Sequence, residues 1–435
     1  MDMTFAKALM AAVATVCVCA GSADAVTRTA ASCSAAAVGA AINAAIDGDT
    51  VVIPAGTCSW TSNVTIMNKI LTLQGAGIDQ TIIIDNVPRT NGYPQMLNWT
   101  TKDGGITRIT GITFQGGTTP DGFNSGIVTI NGVSHQLRID NCKFVPTQTS
   151  GLMLSGYLWG VVDHNTFDVS SGTGYGLYIF HNVWNVPGSD FGDASWADVT
   201  DMGTSRAMFV EDNTFTNDQS VWFHNYANDG WSGGRVVYRH NTYANTTWAN
   251  HGTESSGRWR SQRQFEVYDN TFTFNLRGNA FPSLIASRGG VGVVYNNTAT
   301  VTNGSVDVIA DLQYYRSGQA FDPWGQCNGS STWDQNSNST GYKCLDQPGV
   351  GRGDLLANFN ASPVGWPHQA SDPTYAWNNR INGSLSNMVS NVPSAVVANR
   401  DFFNSSRPGY TPYVYPHPLV TPTVAPSAPQ NLVVQ

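Results

Sequence analysis

Short stretches in which apolar and polar residues alternate, each closed by a polar turn, recur along this chain. Examples are GGRVVYRHNTY and RQFEVYDNTF, whose β-branched and aromatic residues alternate with polar ones before the turn. Such alternation is typical of a β-strand that ends in a turn. The closing phrase appears as IDNCKF, VDHNTF, VEDNTF, YRHNTY, VYDNTF and VYNNTA. Its asparagines are Asn141, Asn165, Asn213, Asn241, Asn270 and Asn297.

The spacing of these asparagines predicts the fold. They follow one another at 24, 48, 28, 29 and 27 residues, and a repeat in the twenties marks a solenoid built from stacked coils. Strands at this period, with no helical pattern between them, predict an all-β parallel β-helix. We expect roughly ten coils between residues 50 and 310, which would form a rod about 45 to 50 Å long at the spacing of β-strands.

Two side-chain ladders are expected from that stacking. An aromatic ring stands two positions after four of the asparagines, and coils about 4.8 Å apart would align these rings inside the rod. The asparagines themselves predict a turn at one corner of each coil, because asparagine tolerates left-handed backbone geometry and bonds to nearby main chain. The aligned rings would be Phe167, Phe215, Tyr243 and Phe272.

The N-terminal residues predict export. Residues 1–25 have the pattern of a secretory signal, with Lys7 before the apolar run ALMAAVATVCVCA and an A-x-A cleavage pattern at Ala23 and Ala25. We therefore expect a secreted protein, extracellular or periplasmic, with export of the bacterial type. No other apolar run approaches the roughly 18 residues that suggest a membrane span.

The β-helix domain is expected over residues 26–410. Between Ser34 and Ile46, apolar residues at Val38, Ile42 and Ile46 form the stripe of a capping helix that would close the open end of the core. The repeat gives way to long C-terminal loops over 311–410, and the proline-rich tail 411–435 predicts an extended linker.

The cysteines that follow the signal predict two disulfides, which an oxidising compartment permits. A bridge between Cys33 and Cys58 would tie the capping helix to the first coil, and one between Cys327 and Cys344 would restrain a polar loop. Cys142 is left over and is placed in the column otherwise held by threonine. We predict that it is a buried structural thiol.

Composition and charge narrow the class of partner. Charged residues make up 12% of the chain, against about 25% in an average globular protein. The formal net charge of −8 argues against nucleic acid as a partner. An anionic glycan would need a locally basic groove.

One dense basic cluster has the composition that such a groove requires. Guanidinium groups bind carboxylate or sulfate in a bidentate manner, so converging arginines are a candidate site for either group. The alternative is a solvated edge on which the glutamate of the cluster pairs with an arginine. The cluster consists of Glu254, Arg258, Arg260 and Arg263, with Arg288 about one coil later.

Two histidines are candidates for proton transfer. Counted from the asparagine corner, His224 falls 11 residues after Asn213 and His251 falls 10 residues after Asn241. We therefore expect His224 and His251 to be neighbours on adjacent coils. The alternative is that both are structural imidazoles with satisfied hydrogen bonds.

Several segments resemble one known family. The opening GDTVVIPAGTC, the turn LQGAGIDQTII, the DNTF phrases and the secretory signal are similar to the pectate lyase superfamily of right-handed parallel β-helix proteins, over roughly residues 33 to 310. SVWFHN at 220–225 resembles the VWIDH segment of pectate lyases without its aspartate. RSQR at 260–263 resembles their R-x-P-R segment, with Gln262 in place of the proline.

This resemblance implies a right-handed β-helix, Arg260 as the catalytic base and calcium as a cofactor. The acidic residues nearest to the position of the family's calcium ligands are Glu211, Asp212 and Asp218.

The resemblance and the basic cluster together favour a polysaccharide lyase that cleaves an anionic, uronate-containing glycan by β-elimination. A cation neutralises the carboxylate, a base removes the neighbouring proton, and an acid or water protonates the leaving oxygen. Arg260 and Arg263 are the candidates for charge stabilisation or base, and His224 and His251 for proton transfer. The residues expected to bind sugar are Trp222, Trp231, Trp248, Trp259, Arg258 and Arg288.

Two other classes stay open. A glycoside hydrolase would need two carboxylates that face each other across the groove at about 5 to 9.5 Å, and Glu254 is the free-standing candidate for one of them. The other class is a non-catalytic rod that binds glycans through its tryptophans, since the fold alone does not confer activity.

Overall fold

The chain winds through three parallel sheets and contributes strands to each of them in turn. The computed structural model describes residues 25–88, 95–118, 126–147, 150–170, 174–185, 191–218, 226–254, 257–328, 344–352 and 369–421. One coil runs through Thr50–Val52, Gly56–Trp60 and Val64–Met67. The next coil begins at Thr72–Gln74, which pairs in parallel with Thr50–Val52. This architecture is the predicted parallel β-helix.

The strands of each sheet follow one another along the axis of the helix, and Gly126–Asp140 continues from the third sheet into the first. The first sheet contains Thr27–Thr29, Thr50–Val52, Thr72–Gln74, Thr107–Thr110, Gly126–Asp140, Tyr157–Asp163, Met208–Glu211, Arg235–Arg239, Gln264–Tyr268, Val291–Tyr295, Thr374–Trp377 and Phe402–Phe403. The second contains Gly56–Trp60, Thr81–Asp85, Thr113–Gly116, Lys143–Val145, Thr166–Asp168, Thr214–Thr216, Thr242–Ala244, Thr271–Asn275, Thr298–Thr302, Arg380–Ile381 and Ser384–Leu385. The third contains Val64–Met67, Leu97–Thr101, Gly126–Asp140, Ser150–Leu154, Leu177–Ile179, Asn228–Asp229, Trp248–Ala249, Ala280–Ser287, Ser305–Leu312 and Val389–Ser390.

The remaining elements are short. Val350–Gly351 and Ala370–Ser371 form a small antiparallel pair. The helices are Ala35–Ala44, Asp193–Ala197 and the 3-10 turn Tyr315–Ser317. No helix in the described part of the chain is long and apolar enough to span a membrane.

A ladder of stacked rings fills the core, as predicted. From Phe167 through Phe215 and Tyr243 to Phe272 the ring centroids are 4.8, 5.0 and 4.5 Å apart, and the planes are within 11° of parallel. Phe144 and Phe114 extend the ladder toward the N-terminus. Each ring is buried against the coil above and below, which stabilises the stack by apolar burial and offset stacking.

The asparagine ladder is buried and joins successive coils. Oδ1 of Asn241 accepts hydrogen bonds from the backbone N–H and side-chain amide of Asn213, and its own amide donates to Val210 O and Asn270 Oδ1. Because each amide satisfies main chain of the neighbouring coil, the ladder fixes the stacking register. It continues beyond the predicted repeat to Asn379.

The left-handed residue of each turn is the one before the ladder asparagine, which corrects the predicted role of the asparagine itself. His164, Asp212, His240 and Asp269 have φ angles between 54° and 57°. The first phrase, IDNCKF, also aligns with the other phrases one residue later than its asparagine predicts. The backbone N–H of Cys142 donates to Asn165 Oδ1, so Cys142 holds the asparagine column and not the threonine column.

Asn141 therefore takes the left-handed position, with φ 51°. The prediction that Cys142 is a buried structural thiol is confirmed, and burial raises its pKa to about 12.

The N-terminal cap and both disulfides are present. Ser34 caps the helix Ala35–Ala44, which buries Val38 and Ile42, while the third residue of the predicted stripe, Ile46, lies exposed after the helix. Cys33 is bonded to Cys58, and Cys327 is bonded to Cys344.

The C-terminal region, over which long loops and an extended linker are predicted, carries further strands. Beyond residue 312 the chain returns to add strands to all three sheets. Residues 410–421 then pack across the first sheet. Arg239 donates to Tyr413 O at 2.7 Å, Arg138 donates to Leu419 O at 2.9 Å, and the ring of Phe209 contacts Tyr413. The described part of the tail is therefore docked on the rod.

Candidate functional site

The outward side of the third sheet carries a continuous polar and aromatic face. Parallel pairing places Met153, Tyr178 and Asp229 in one column on successive coils. Their sequence neighbours Leu152, Leu154, Leu177 and Ile179 belong to the core, so alternation along the strand directs the column outward. Two residues farther along the chain, just past the end of each strand, a second outward column holds Phe180, Trp231, His251, Arg288 and Gln313.

Main-chain contacts fix the register of this second column. The N–H of His251 donates to Gly230 O, and the N–H of Arg288 donates to Asn250 Oδ1. The ring of His251 meets that of Trp231 at 5.5 Å, and Trp231 meets Phe180 at 4.6 Å. Successive residues of the column thus come from neighbouring coils.

Two clefts open along this face, one lined by Trp231 and the other by Arg288, the two neighbours of His251 in the second column. The aromatic cleft has a volume of about 340 Å³ and is lined by Met153, Ser155, Phe180, Asn182, Trp231, Ser232 and Trp259. The second cleft, here called the arginine cleft, has a volume of about 270 Å³, and its lining includes Tyr226, Ala286, Arg288, Gln313 and Tyr315.

His251 is held by a buried carboxylate. Its Nδ1 lies 2.5 Å from Oδ2 of Asp229, whose side chain is fully buried, while 22% of the His251 side chain is exposed. The other carboxylate oxygen of Asp229 accepts from the N–H of Gly230 at 2.7 Å. A carboxylate beside Nδ1 favours the tautomer protonated at Nδ1, in which Nε2 carries the lone pair that accepts a proton.

Arg288 supplies the positive charge of the face. Its side chain is 16% exposed, its Nη1 lies 3.5 Å from Glu254 Oε1, and its guanidinium stands 4.6 Å from the ring centre of Tyr315. Burial opposes the charge, but Glu254 and Tyr315 outweigh it and raise the pKa of Arg288. Nε of Arg288 is buried and has no hydrogen-bond partner, and the side chain lines the arginine cleft.

Phenol groups line the arginine cleft beside this charge. Tyr226 stacks on Tyr175 at 5.6 Å, and Tyr315 donates its hydroxyl to Gln313 Oε1 at 2.9 Å. Burial raises the pKa of Tyr226, and the charge of Arg288 lowers it in part. The phenol therefore keeps its proton at neutral pH.

The predicted arginine cluster does not line either cleft as a group. Arg260 is fully buried, with Nε 2.6 Å from Asp346 and Nη1 3.0 Å from Asp193. Burial opposes its charge, yet the two carboxylates raise its pKa. Arg258 reaches the same Asp193 at 2.6 Å.

Through these ion pairs, the arginines attach two segments of the chain to the β-helix. One segment carries the helix Asp193–Ala197, and the other carries Asp346. Arg263 is 1% exposed and donates to Asp198 O at 3.0 Å. Burial removes Arg260 and Arg263 from the groups that can touch a glycan in either cleft, so the roles predicted for them as base or charge stabiliser are not supported. The roles predicted for His251 and Arg288 remain predictions.

The predicted tryptophans divide into three groups. Trp231 and Trp259 line the aromatic cleft. Trp248 is buried in the core against Tyr238 and Phe265, so it cannot stack on a sugar. Trp222 and His224 lie outside the described residues.

The expected pairing of His224 with His251 relied on a constant distance from the asparagine corner. That distance varies: Asn213 precedes the third-sheet residue Asn228 by 15 residues, whereas Asn241 precedes its partner Trp248 by 7. The longer connection moves Trp231 into the position next to His251.

His181, another histidine of the region, is structural. It is buried, with Nε2 at 2.7 Å from Leu158 O and Nδ1 accepting from the N–H of Arg235 at 2.9 Å.

The acidic residues proposed for calcium do not form an oxygen cluster. Glu211 is buried and its two oxygens accept from Arg239 and from the N–H of His417. Asp212 accepts from the hydroxyl of Tyr415, and Asp218 lies two residues past the next strand. Among the described residues, no group of three or more His, Cys, Asp or Glu is placed to hold a metal ion.

Sequence reasoning missed Asp229 and Tyr226. Asp229 precedes Gly230 and Trp231 in a segment with no repeat phrase of its own, and its importance follows only from the register of the third sheet. A signal for it did exist, since an acidic residue on an otherwise apolar or aromatic strand is costly to bury without a partner.

No known protein family and no curated protein sequence matches the chain. Three solved structures resemble it in part. An alginate lyase from Paenibacillus sp. str. FPU-7 matches with a TM-score of 0.35 and 16% identity, over 65% of this chain and 95% of that one. The catalytic unit of a GH87 α-1,3-glucanase from Streptomyces thermodiastaticus strain HF3-3 matches with a TM-score of 0.37 and 14% identity, over 87% and 66%.

The third structure, ORF18 of Geobacillus virus E2, matches with a TM-score of 0.31 and 13% identity, over 62% and 56% of the two chains. Scores this low assign neither a family nor an activity. The function is therefore argued from the geometry of this chain.

Proposed function

We propose that this protein is a polysaccharide lyase that cleaves a uronate-containing glycan by β-elimination. His251 is the base, Asp229 positions it, and Arg288 neutralises the uronate carboxylate. The observation that supports the proposal is that these three residues come from successive coils of one outward face, on which Arg288 lines one cleft and Trp231, which contacts His251, lines another.

Proton removal falls to Nε2 of His251. Asp229 holds Nδ1 at 2.5 Å, and the partial exposure of the ring lets a sugar approach Nε2. A carboxylate at Nδ1 also stabilises the imidazolium that forms when the proton is taken, which is how general bases of this kind contribute on the order of a hundred- to ten-thousandfold in rate.

Charge neutralisation falls to Arg288. The carbon that loses the proton in a uronate is bonded directly to the carboxylate, so the base and the cation must act on adjacent atoms. His251 and Arg288 project from neighbouring coils, which are about 4.8 Å apart. The guanidinium of Arg288, whose side chain is 16% exposed and lines the arginine cleft, can bind the carboxylate where negative charge develops.

The electron pair released at the carbon forms a double bond to its neighbour, and the bond from that neighbour to the glycosidic oxygen breaks. The oxygen leaves with the electron pair and takes a proton. Tyr226 and Tyr315 line the same cleft as Arg288, and they are the phenol acids placed to donate that proton. The aromatic cleft, with Trp231 and Trp259, would bind the adjoining sugars by stacking.

Hydrolysis is less well supported by the same face. Two of its carboxylates, Asp229 and Glu254, have buried side chains, and each lies against a basic group, His251 and Arg288 respectively. A third carboxylate, Asp311, lies in the same outward column as Asp229, and burial raises its pKa. A hydrolase needs one carboxyl that can give a proton to the substrate and a second that attacks or activates water. The ion pairs hold Asp229 and Glu254 away from those roles.

The same proposal includes export. The disulfides Cys33–Cys58 and Cys327–Cys344 are typical of proteins that fold in an oxidising compartment, where polymeric glycans are found.

The test is an activity panel. Purified protein is incubated with polygalacturonate, alginate, polyglucuronate and neutral glucans, with added calcium and with a chelator, and both the ultraviolet absorbance of unsaturated ends and new reducing ends are followed. We expect unsaturated ends with one or more polyuronates, lost in His251→Gln. New reducing ends without unsaturation would show hydrolysis, and glycan binding without any product would show a binding protein; either result would overturn the proposal.

A further inference from the structure

A third cleft, on a different part of the rod, carries a buried arginine without an acidic partner. This cleft, here called the Arg263 cleft, is lined by Val199, Thr200, Arg263, Gly351, Arg352, Ala370, Ser371, Asp372 and Arg407. It shares no lining residue with the aromatic cleft or the arginine cleft.

Arg263 is the buried charged group of this cleft. Its side chain is 1% exposed, and its Nη2 donates to Asp198 O at 3.0 Å. Its other two guanidinium nitrogens, Nε and Nη1, have no hydrogen-bond partner. The ring of Trp196 lies 5.1 Å away, and no carboxylate in the described part of the chain forms an ion pair with Arg263.

An isolated buried charge of this kind is costly. Burial lowers the pKa of Arg263 to about 10, and the attraction of Asp372 and Asp346 offsets that effect only in part. Arg260, three residues earlier, is the opposite case, because two carboxylates contact it directly. A buried guanidinium whose N–H groups have no hydrogen-bond partner can bind an anion that enters the cleft.

The other charged residues that line the Arg263 cleft add to its positive charge. Arg352 stands exposed at the rim, and Arg407 lies 3.1 Å from Asp372, the one acidic residue of the lining. Three arginines against one aspartate give a local positive charge in a chain whose formal net charge is −8. Ser371 adds a hydroxyl group to the lining, and the hydroxyl of Thr200 donates to Asp372 at 3.5 Å.

We propose that the Arg263 cleft binds a tetrahedral oxyanion of the sulfate or phosphate type. Its volume is about 240 Å³, which at roughly 30 Å³ per water molecule holds such an anion with several waters. The anion is either a free inorganic ion or the ester group of a substituted sugar. The site is independent of the lyase reaction proposed for His251.

The test is isothermal titration calorimetry on the full chain at constant ionic strength, with sodium sulfate, sodium phosphate, a sulfated monosaccharide and sodium glucuronate as separate probes. We expect saturable binding of sulfate or phosphate. Ala370→Glu, which places a like charge at the exposed mouth, should weaken binding by at least about tenfold, as should Arg263→Met.

Ser384→Glu is the matched control, because it makes the same change of charge on an exposed strand outside the cleft, and it should bind as the original protein does. Ala370→Glu carries the test if Arg263→Met fails to fold.

The four probes separate the sources of the anion. Binding of the sulfated sugar in competition with inorganic sulfate assigns a sugar ester, and binding of the inorganic ions alone assigns a free anion; both support the site. Saturable binding of glucuronate alone would overturn the tetrahedral assignment. Absence of saturable binding, or equal binding in Ala370→Glu, would overturn the site itself.

Discussion

Oδ2 of Asp229 lies 2.5 Å from Nδ1 of His251, across two neighbouring coils of the third sheet. A second pair of the same type exists at the turn corner, where Nδ1 of His164 lies 2.9 Å from Oδ2 of Asp163. There the two residues are adjacent in sequence, and half of the His164 side chain is exposed. The chain thus carries a candidate catalytic pair and a natural control for it.

The first prediction concerns this pair. His251→Gln should lower kcat for unsaturated product on the order of a thousandfold, because the proton acceptor is lost. Asp229→Asn should lower kcat about a hundredfold with little change in KM, since it disturbs the tautomer and the imidazolium but not the contact with substrate. Steady-state kinetics on the cleaved polyuronate measures both.

His164→Gln is the control and should leave kcat unchanged. Asp229→Asn should also change the pH profile of kcat, a readout that a purely structural role would not move. Loss of activity in His164→Gln equal to that in His251→Gln would point to general destabilisation and contradict the assignment.

The second prediction concerns Arg288. Arg288→Gln should lower kcat about a hundredfold or more and raise KM, because the guanidinium binds the carboxylate in the ground state and more strongly as charge develops. Arg288→Lys should recover part of the activity, as lysine keeps the charge but not the planar donor geometry. Arg277→Gln, an exposed arginine on the turn after Thr271–Asn275, provides the comparison.

An effect of Arg288→Gln on stability alone, with the kinetic constants of the folded fraction unchanged, would remove Arg288 from the site. Thermal unfolding of both variants separates these results.

The third prediction concerns Arg260, which the sequence placed in the active site and the structure places in a buried ion network. Arg260→Met should destabilise the protein by about 3 to 5 kcal/mol, because Asp193 and Asp346 would be left buried without their partner. Denaturant unfolding measures the change, with Arg277→Met as the exposed control. A fully stable Arg260→Met that has lost activity would restore the catalytic interpretation.

The fourth prediction is a pH effect on stability from His181. Burial lowers its pKa to about 4, below its unfolded value of about 6.5. Between these values the unfolded chain binds more protons, so stability falls as pH falls through this window. The linkage amounts to roughly 2 kcal/mol lost by pH 5.

His181→Gln can still accept from the N–H of Arg235 or donate to Leu158 O without titrating. It should therefore be less stable than the original protein at pH 7 and show a smaller loss between pH 7 and pH 5. Urea unfolding at pH 7 and at pH 5 measures how much unfolding free energy each protein loses between the two pH values. Equal losses in the two proteins would show that His181 does not titrate in this window.

The fold could be predicted from sequence because the same pattern of strand and turn residues recurs in each coil. The ring ladder and the buried asparagines recur at nearly fixed spacing, so a few phrases determine the stacking. When the phrases are aligned by their asparagines, Asn141 is placed one residue out of register. Aligning them by their rings gives a different result. Phe144 stands two residues after Cys142, as Phe167 does after Asn165, and the ring spacing gives the correct register.

The candidate site was less predictable for two physical reasons. The connection from the second to the third sheet changes length from coil to coil, so a count from the corner placed His224 beside His251 where the structure has Trp231. Composition also cannot distinguish a basic groove from a basic interior. Asp193 and Asp346, which bury Arg260, lie 67 and 86 residues away from it in sequence.

Mass spectrometry of the products formed from a defined oligouronate in ordinary water decides between elimination and hydrolysis. Elimination adds no water, so we predict that the masses of the two products of each His251-dependent cleavage sum to the mass of the starting oligouronate. Product masses that sum to the oligouronate plus one water per cleaved bond, in a reaction lost in His251→Gln, would show hydrolysis and contradict elimination.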